Sequence, residues 1–371
     1  MNATPHRLTL DESRLLTRVT TLGSGTNLPV VMTPGELMKL IGVIYRDTNM
    51  SARLDPALWR KIAPPETYYR IPQSWFDQPI QVSPTAHIDL LRLASHHITD
   101  FQTYLKCLAE LHKRRRKYAM ILAAQPIPTM VQVSPRSLVE YGQIDAEALA
   151  SWLTWRKFFY DLDNRSAQET GYLFEPILAS AIGGEPKGAR TRVVRRTSDD
   201  NKGRQVDCWK VPANGLPLAY EFKLRVTIAA SGQGRFREEV QFAEDCHNSG
   251  ARPVLVVLDP TPNARLTDLQ SAYEQWGGRA YIGDAAWAHL EDEAGPVMAR
   301  FIETYVRTPV ADISSFETRN EDQRTHFNLL KLEASVLGNE LLLKLGHYER
   351  RIGRREDASL AQSDDDLDDP T

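Results

Sequence analysis

Gln205-Val206-Asp207-Cys208-Trp209, a turn-rich gap, and then Tyr220-Glu221-Phe222-Lys223 form the stretch on which the fold of this chain turns. Side chains alternate across a strand, so Glu221 and Lys223 share one face while Leu218, Tyr220, Phe222 and Leu224 line the other. The run Val206 to Val211 must pair antiparallel with it across Pro212-Ala213-Asn214-Gly215-Leu216-Pro217, a strong turn signal. A two-residue Asn-Gly loop would set Asp207 opposite Phe222, on the wrong face. An odd loop or a bulge instead sets Asp207 opposite Glu221, because a one-residue slip flips every side chain. Pro212 and Pro217 cannot donate ladder hydrogen bonds and favour the longer loop.

Two adjacent carboxylates resist joint ionisation unless a cation sits between them. Oxygen-rich sites with open positions suit magnesium, which keeps waters and completes its shell with phosphate. Held in this way, such an ion polarises a phosphoryl group and lowers the pKa of bound water. Asp207, Glu221 and Lys223 are therefore candidates for phosphodiester hydrolysis, with Lys223 serving the attacking water. The bland alternative is three solvated hairpin residues, since Glu-x-Lys is common.

The surroundings predict an ordered α/β unit. Thr191 to Thr197 is β-rich and reads as a strand preceding the hairpin. Gly234 to His247 carries Phe236, Val240, Ala243 and Cys246 at helical spacing. Pro253 to Asp259 is a continuous apolar run, the mark of a strand buried on both faces. Strand, helix and buried strand imply a crossover and a parallel pair. Arg279 to Gly283 reads as an edge strand, and Asp284 to Trp287 begins a closing helix. Upstream, Ser166 to Ile182 is apolar and helical, and Gly183-Gly184 stops it.

That order with that triplet resembles the PD-(D/E)xK nuclease superfamily over about residues 130–310, within it the type II restriction endonucleases, and among named groups the ApaLI-like endonucleases. Asp207 matches the first metal-binding Asp, Glu221 the second carboxylate and Lys223 the Lys; Val206 stands where the motif name has proline. The late run Tyr281-Ile282-Gly283-Asp284-Ala285-Ala286-Trp287 is similar to a segment of these enzymes. The resemblance implies a restriction-endonuclease-like α/β/α core with a mixed β-sheet, an antiparallel meander plus a parallel crossover strand. It implies Mg2+ held by Asp207, Glu221 and the Phe222 carbonyl, and a further Glu from the preceding helix. Glu175 is the candidate and Glu169 the second; six residues apart, about 240° around a helix, they cannot face one ion together. Pro176 either kinks that helix or marks a first turn.

Composition permits this reading. The chain has 371 residues, 42% hydrophobic and 25% charged, ordinary for a globular protein. It has no membrane-length apolar run, no signal-peptide core and no phosphate loop for a nucleotide cofactor. Cys107, Cys208 and Cys246 lack metal or redox spacing and read as reduced thiols, which points to the cytoplasm. His96-His97 diverge on a helix and do not suggest a metal pair.

The net charge is −3, yet Lys187 to Arg204 is strongly basic and directly precedes Asp207. Arg192, Arg195 and Arg196 are candidates for duplex contact, as are Gln233, Arg235 and Arg237 in the segment after Lys223. A second basic run, Lys113 to Lys117, reads as a solvated helix face or as a further DNA contact. Trp152, Trp155, Phe158, Phe159 and Tyr160 form an aromatic stripe, expected in the core, with base stacking as the rival.

The expected organisation is a mainly helical region over 1–130, the nuclease core over 131–310, a C-terminal helical arm over 311–355 and an acidic disordered tail over 356–371. The resemblance implies cleavage of double-stranded DNA at a short palindrome, leaving 5′-phosphate and 3′-hydroxyl ends, by a homodimer. A repair or recombination nuclease of the same fold, or a non-catalytic DNA-binding protein, are the alternatives.

Overall fold

The computed structural model describes residues 8–23, 28–125, 127–224, 233–261, 264–318, 332–337, 340–345 and 348–353. Four helices dominate the N-terminal region: α1 (Leu10–Thr20), α2 (Pro34–Asp47), α3 (Ala86–His97) and α4 (Phe101–Ala124). Capping boxes at Thr9 and Thr33 start the first two, each satisfying free amides at a helix N-terminus. Next comes α5 (Ala146–Ala181), capped by the Asp145 carboxylate, which accepts from Glu147 and Ala148 amides. The sequence predicts only its second half. The aromatic stripe continues the helix backwards to the Asp145 cap, and Pro176 is accommodated inside it.

Gly183 ends that helix with φ +79°, as Gly183-Gly184 predicts. The chain then enters a five-stranded sheet. Its strands are β1 (Glu185–Lys187), β4 (Val206–Lys210), β5 (Leu218–Lys223), β6 (Arg252–Val257) and β7 (Arg279–Ile282), in the order β1-β4-β5-β6-β7. The first two pairings are antiparallel and the last two parallel. Helix α6 (Gln233–Asn248) crosses from β5 to β6, as its apolar spacing predicts, and α7 (Ala264–Gln275) crosses from β6 to β7. The sequence reading ran straight from one strand to the next there. The helical spacing of Leu266, Leu269, Ala272 and Tyr273, all buried, was the signal for α7. Helix α8 (Asp284–Ile302) follows β7, and α9 (Thr308–Thr318) comes later.

Two expectations are corrected. Thr191 to Thr197 is no strand of the main sheet. Ala189–Thr191 forms a 3-10 turn, Arg192 adopts φ +53°, and β2 (Arg195–Arg196) pairs only with β3 (Asp199–Gly203) in a separate ribbon. The first sheet strand is β1, which Gly184 delivers directly: a Cβ there would collide with the Cys208 thiol of β4. The second correction is the C-terminal arm. Beyond α9 the described residues form β8 (Leu332–Leu337), β9 (Glu340–Leu345) and β10 (Tyr348–Gly353), an antiparallel sheet within the expected helical arm over 311–355. Leu337 pairs with Glu340 across Gly338-Asn339, a two-residue hairpin signature that outranks an irregular helical spacing. The acidic tail lies outside the described residues.

The sheet is covered on both faces. Leu218, Tyr220, Phe222 and Leu224 join one apolar core with α5, α8 and the N-terminal helices; Ala219, Leu255 and Val257 join another with α6 and α7. The first core runs from Leu15 to Val306 and so draws on both sides of residue 130. The three cysteines are buried, unpaired thiols. Among the described residues no helix is long and apolar enough to cross a membrane.

The basic run in α4 is mostly drawn into the fold, and of its five cations Arg115 is exposed. Lys113 is buried and donates to the Arg18 and Thr21 carbonyls at the end of α1. Arg114 is buried and reaches Glu169 of α5 at 3.3 Å. Arg115 lies over the Tyr68 and Tyr69 rings, Arg116 pairs with the buried Glu36 at 2.9 Å, and Lys117 is fully buried. These cations clamp α4 to its neighbours. Together with the Cys107 thiol, which faces the Ile177 carbonyl, they brace the helix that carries Glu175.

Candidate active site

The β4–β5 hairpin has the register that the sequence arithmetic requires. Cys208 pairs with Tyr220, Trp209 with Ala219 and Lys210 with Leu218, across a seven-residue connection, 211–217. Extending that register by one step sets Asp207 opposite Glu221. The ladder stops there, and the Asp207 Oδ2 atom accepts the Phe222 amide at 2.8 Å. A side-chain carboxylate thus takes the place of a backbone acceptor where the strands separate, which satisfies a buried amide. It also fixes Asp207, only 8% exposed, at the strand end.

Glu221 and Lys223 leave β5 on the same face, with the Lys223 ammonium 3.3 Å from Glu221 Oε1. It also lies 3.1 Å from Glu239 Oε1 of the crossover helix α6. The sequence reading missed Glu239. Its signal was positional: it stands one turn before Ala243, and the helix that buries Ala243 under the sheet turns Glu239 towards Lys223. Its second oxygen, Oε2, is buried and has no hydrogen-bond partner among the described residues.

Glu175 comes from α5, one turn after Gly171. A Cβ at Gly171 would stand 3.3 Å from Glu175 Oε1, so the glycine leaves the carboxylate room. Glu169 is not part of this group: it is buried beside Arg114. Of the two upstream candidates, the structure brings Glu175 to the strand ends and spends Glu169 on packing.

Electrostatics tie the group together. Burial pushes the Asp207 carboxyl well above the usual carboxylate range, and the charges of Glu221 and Glu175 push it further; the Phe222 amide and Lys223 oppose this. Burial, then Glu221, raises Glu175 to about 7, with Lys223 opposing. Burial alone would depress Lys223, but the Glu221 and Glu239 charges outweigh it and hold the ammonium above its ordinary range. Four carboxylates thus surround one lysine, and the excess negative charge suits a divalent cation. Among the described residues no three His, Cys, Asp or Glu side chains gather closely enough to cage an ion on their own. The donors are sparse and all oxygen, which fits a hard ion that keeps several waters.

The basic segment folds onto α6. Arg204 is buried between Asp245, at 2.6 Å, and Glu238, while Arg196 reaches Glu238 at 2.6 Å. The Thr197 amide donates to Asp245. Arg192 and Arg195 remain exposed beside this anchor, and Arg237 is exposed on α6. The Gln233 and Arg235 side chains lie outside the described residues.

Comparison with known proteins gives the family. The ApaLI-like restriction endonuclease family matches residues 53–307. The chain belongs to that family. A protein described as Type II restriction enzyme ApaLI, from Acetobacter pasteurianus, is 60% identical over 370 residues, covering 98% of this chain and 99% of the relative. No solved structure matches it. The family match spans α5 with Glu175, the Asp207–Lys223 hairpin and Glu239, so this ApaLI-like chain carries its whole carboxylate group inside the matched region.

Proposed function

We propose that this chain is a magnesium-dependent type II restriction endonuclease of restriction-endonuclease-like fold, hydrolysing double-stranded DNA at a short palindrome through Asp207, Glu221 and Lys223. The observation that carries the reading is the register that puts Asp207 opposite Glu221, beside Lys223, at the end of one hairpin. Family membership supports the substrate class.

Asp207, Glu221 and the Phe222 carbonyl would hold magnesium, with Glu175 completing the set. When bound, the ion supplies charge to the phosphoryl oxygens and acidifies its water. The protein's own groups do the rest. Lys223, held between two carboxylates, orients the attacking water and balances charge growing on phosphorus. Glu175, raised to about 7 without metal by burial and by Glu221, would give up its proton as the ion binds. In-line attack leaves 5′-phosphate and 3′-hydroxyl ends. Arg192, Arg195 and Arg237, with Gln233 and Arg235, are the proposed duplex contacts, and Arg196 is a contact shared with its Glu238 partner. Two copies related by a twofold axis cut the two strands of a palindrome.

The test is plasmid DNA incubated with magnesium. Discrete bands that disappear in Asp207→Ala and Lys223→Ala support the reading. Random degradation, or retardation of DNA in a gel without a nick, rejects it in favour of a non-specific nuclease or a binding protein.

A further inference from the structure

Half of the exposed large apolar side chains among the described residues, nine of eighteen, fall between residues 130 and 160. They include Val131, Leu138, Val139 and Tyr141 from the segment before α5, and Trp152 and Tyr160 from its first turns. The aromatic stripe therefore divides: Phe158 is buried against Ile127, Trp155 and Leu162, while Trp152, Phe159 and Tyr160 face outwards. Core packing explains only part of it.

Several of these side chains share one face. Trp152, Arg156, Phe159 and Tyr160 recur at the spacing of a single helix face. Arg156 lies over the Trp152 ring and binds Glu140 at 2.8 Å, which joins the 138–141 segment to that face. Beneath, Val133 packs on Leu149 and Leu153 and fixes the segment to α5. The face is thus rigidly backed and uncovered.

We infer that a second copy of this chain packs on this face. With exposures of 40–85%, the nine together offer apolar surface on the order of the roughly 800 Å² per partner of a stable interface. A concentration of exposed apolar side chains on that scale marks an interaction surface. Charge argues against DNA as the occupant: residues 130–160 hold three carboxylates and three cations, with no net positive charge, and Arg156 is already paired with Glu140. A twofold contact needs a surface complementary to itself, and an apolar face whose charges are internally neutralised meets that need. This rests on the reading that two copies act together, and it places their contact on the same helix that carries Glu175.

Light scattering at micromolar concentration tests it. The wild type is expected at twice the chain mass of 42.0 kDa. The Leu138→Asp/Tyr141→Asp variant and, separately, Tyr160→Glu are expected at the single mass, with unchanged circular dichroism and melting cooperativity. Ile313→Asp, also exposed but on α9, is expected to stay at twice the mass. On plasmid DNA the separated variants should yield nicked circles in place of linear product. Variants that remain paired overturn the inference, because the contact then lies elsewhere. A wild type of single mass that still makes discrete cuts overturns it too, while leaving the endonuclease reading intact. Weaker retardation of DNA by the variants at unchanged mass would assign the face to nucleic acid and overturn it equally.

Discussion

Glu239 Oε1 lies 3.1 Å from the Lys223 ammonium, on the side away from β5, so the lysine is shared between a strand carboxylate and a helix carboxylate. The sharing has a consequence for catalysis. An ion drawn to Asp207 and Glu221 competes with Lys223 for Glu221, and Glu239 then remains to hold the ammonium in place. Lys223→Ala should lose cleavage by about two to three orders of magnitude, the scale for removing one transition-state charge stabiliser. Glu239→Gln, which keeps a hydrogen-bond acceptor but not the charge, should lower kcat about 10–100-fold with little change in KM, as expected for mispositioning. Magnesium should still raise the Tm of Glu239→Gln by the wild-type increment. Loss of that increment would instead make Glu239 a metal ligand.

The crowded carboxylates predict how stability depends on pH. The native carboxyl of Glu175 is raised to about 7, above its unfolded value of about 4.3, so between those values the native state binds more protons than the unfolded state. Stability of the metal-free protein therefore falls as pH rises from about 4.3 to about 7, by up to about 4 kcal/mol from Glu175 alone. Asp207 is raised for the same reason and acts with the same sign. Magnesium relieves the repulsion, so its stabilising effect should grow across that window and its binding should release protons. Melting curves with chelator and with magnesium, from pH 5 to 8, should diverge as pH rises. Parallel curves would mean that these carboxylates do not hold the ion.

Replacing Asp207 separates chemistry from stability. In Asp207→Asn the amide oxygen can still accept from the Phe222 amide, so the strand end keeps its geometry. The repulsive charge is gone. The variant should be inactive, should melt no lower than wild type in chelator, and should gain nothing from magnesium. A clear loss of stability in chelator would show that Asp207 is a structural residue first.

Much of this site was legible in the sequence because it is local. Asp207, Glu221 and Lys223 lie on two strands joined by one turn, and the parity of that turn decides whether they meet. Glu239 was less legible because its place depends on where α6 crosses the sheet, a tertiary fact. The basic run at Lys113 misled for a similar reason: five cations in a row read as a surface, yet Lys113, Arg114 and Lys117 are buried and Arg116 is half-buried against Glu36, which leaves Arg115 exposed beside two tyrosine rings. Residues 191–197 have β-propensity and still pair outside the main sheet, since β1 already occupies the position beside β4.

The two upstream glutamates should part company on mutation. Glu175→Gln is expected to impair cleavage about 10–100-fold and, by removing a repulsive charge, to leave or raise stability in chelator. Glu169→Gln is expected to cut at a near wild-type rate but to weaken the link between α4 and α5. Arg114→Ala would be more severe, because it removes ion pairs to both Glu110 and Glu169 at once; losing one partner of a buried pair costs about 3–5 kcal/mol. Urea denaturation and single-turnover cleavage, measured on all three, would show whether the roles are divided in this way.

The arginines around the β2–β3 ribbon divide into anchors and contacts. Arg204 is buried against Asp245, so Arg204→Ala should release the ribbon from α6 and lower Tm. Arg192 and Arg195 are exposed and should leave stability unchanged when replaced by alanine. If each meets a phosphate, its loss should reduce the slope of log affinity against log salt by about 1 and weaken binding to all sequences alike. If one reads a base, the salt slope should hold while discrimination against altered sites falls by about 1–3 kcal/mol per base pair. Titrating labelled duplexes in chelator at several salt concentrations separates these outcomes. Unchanged affinity in both variants would move the duplex away from the ribbon and onto the face of α6 that carries Arg237.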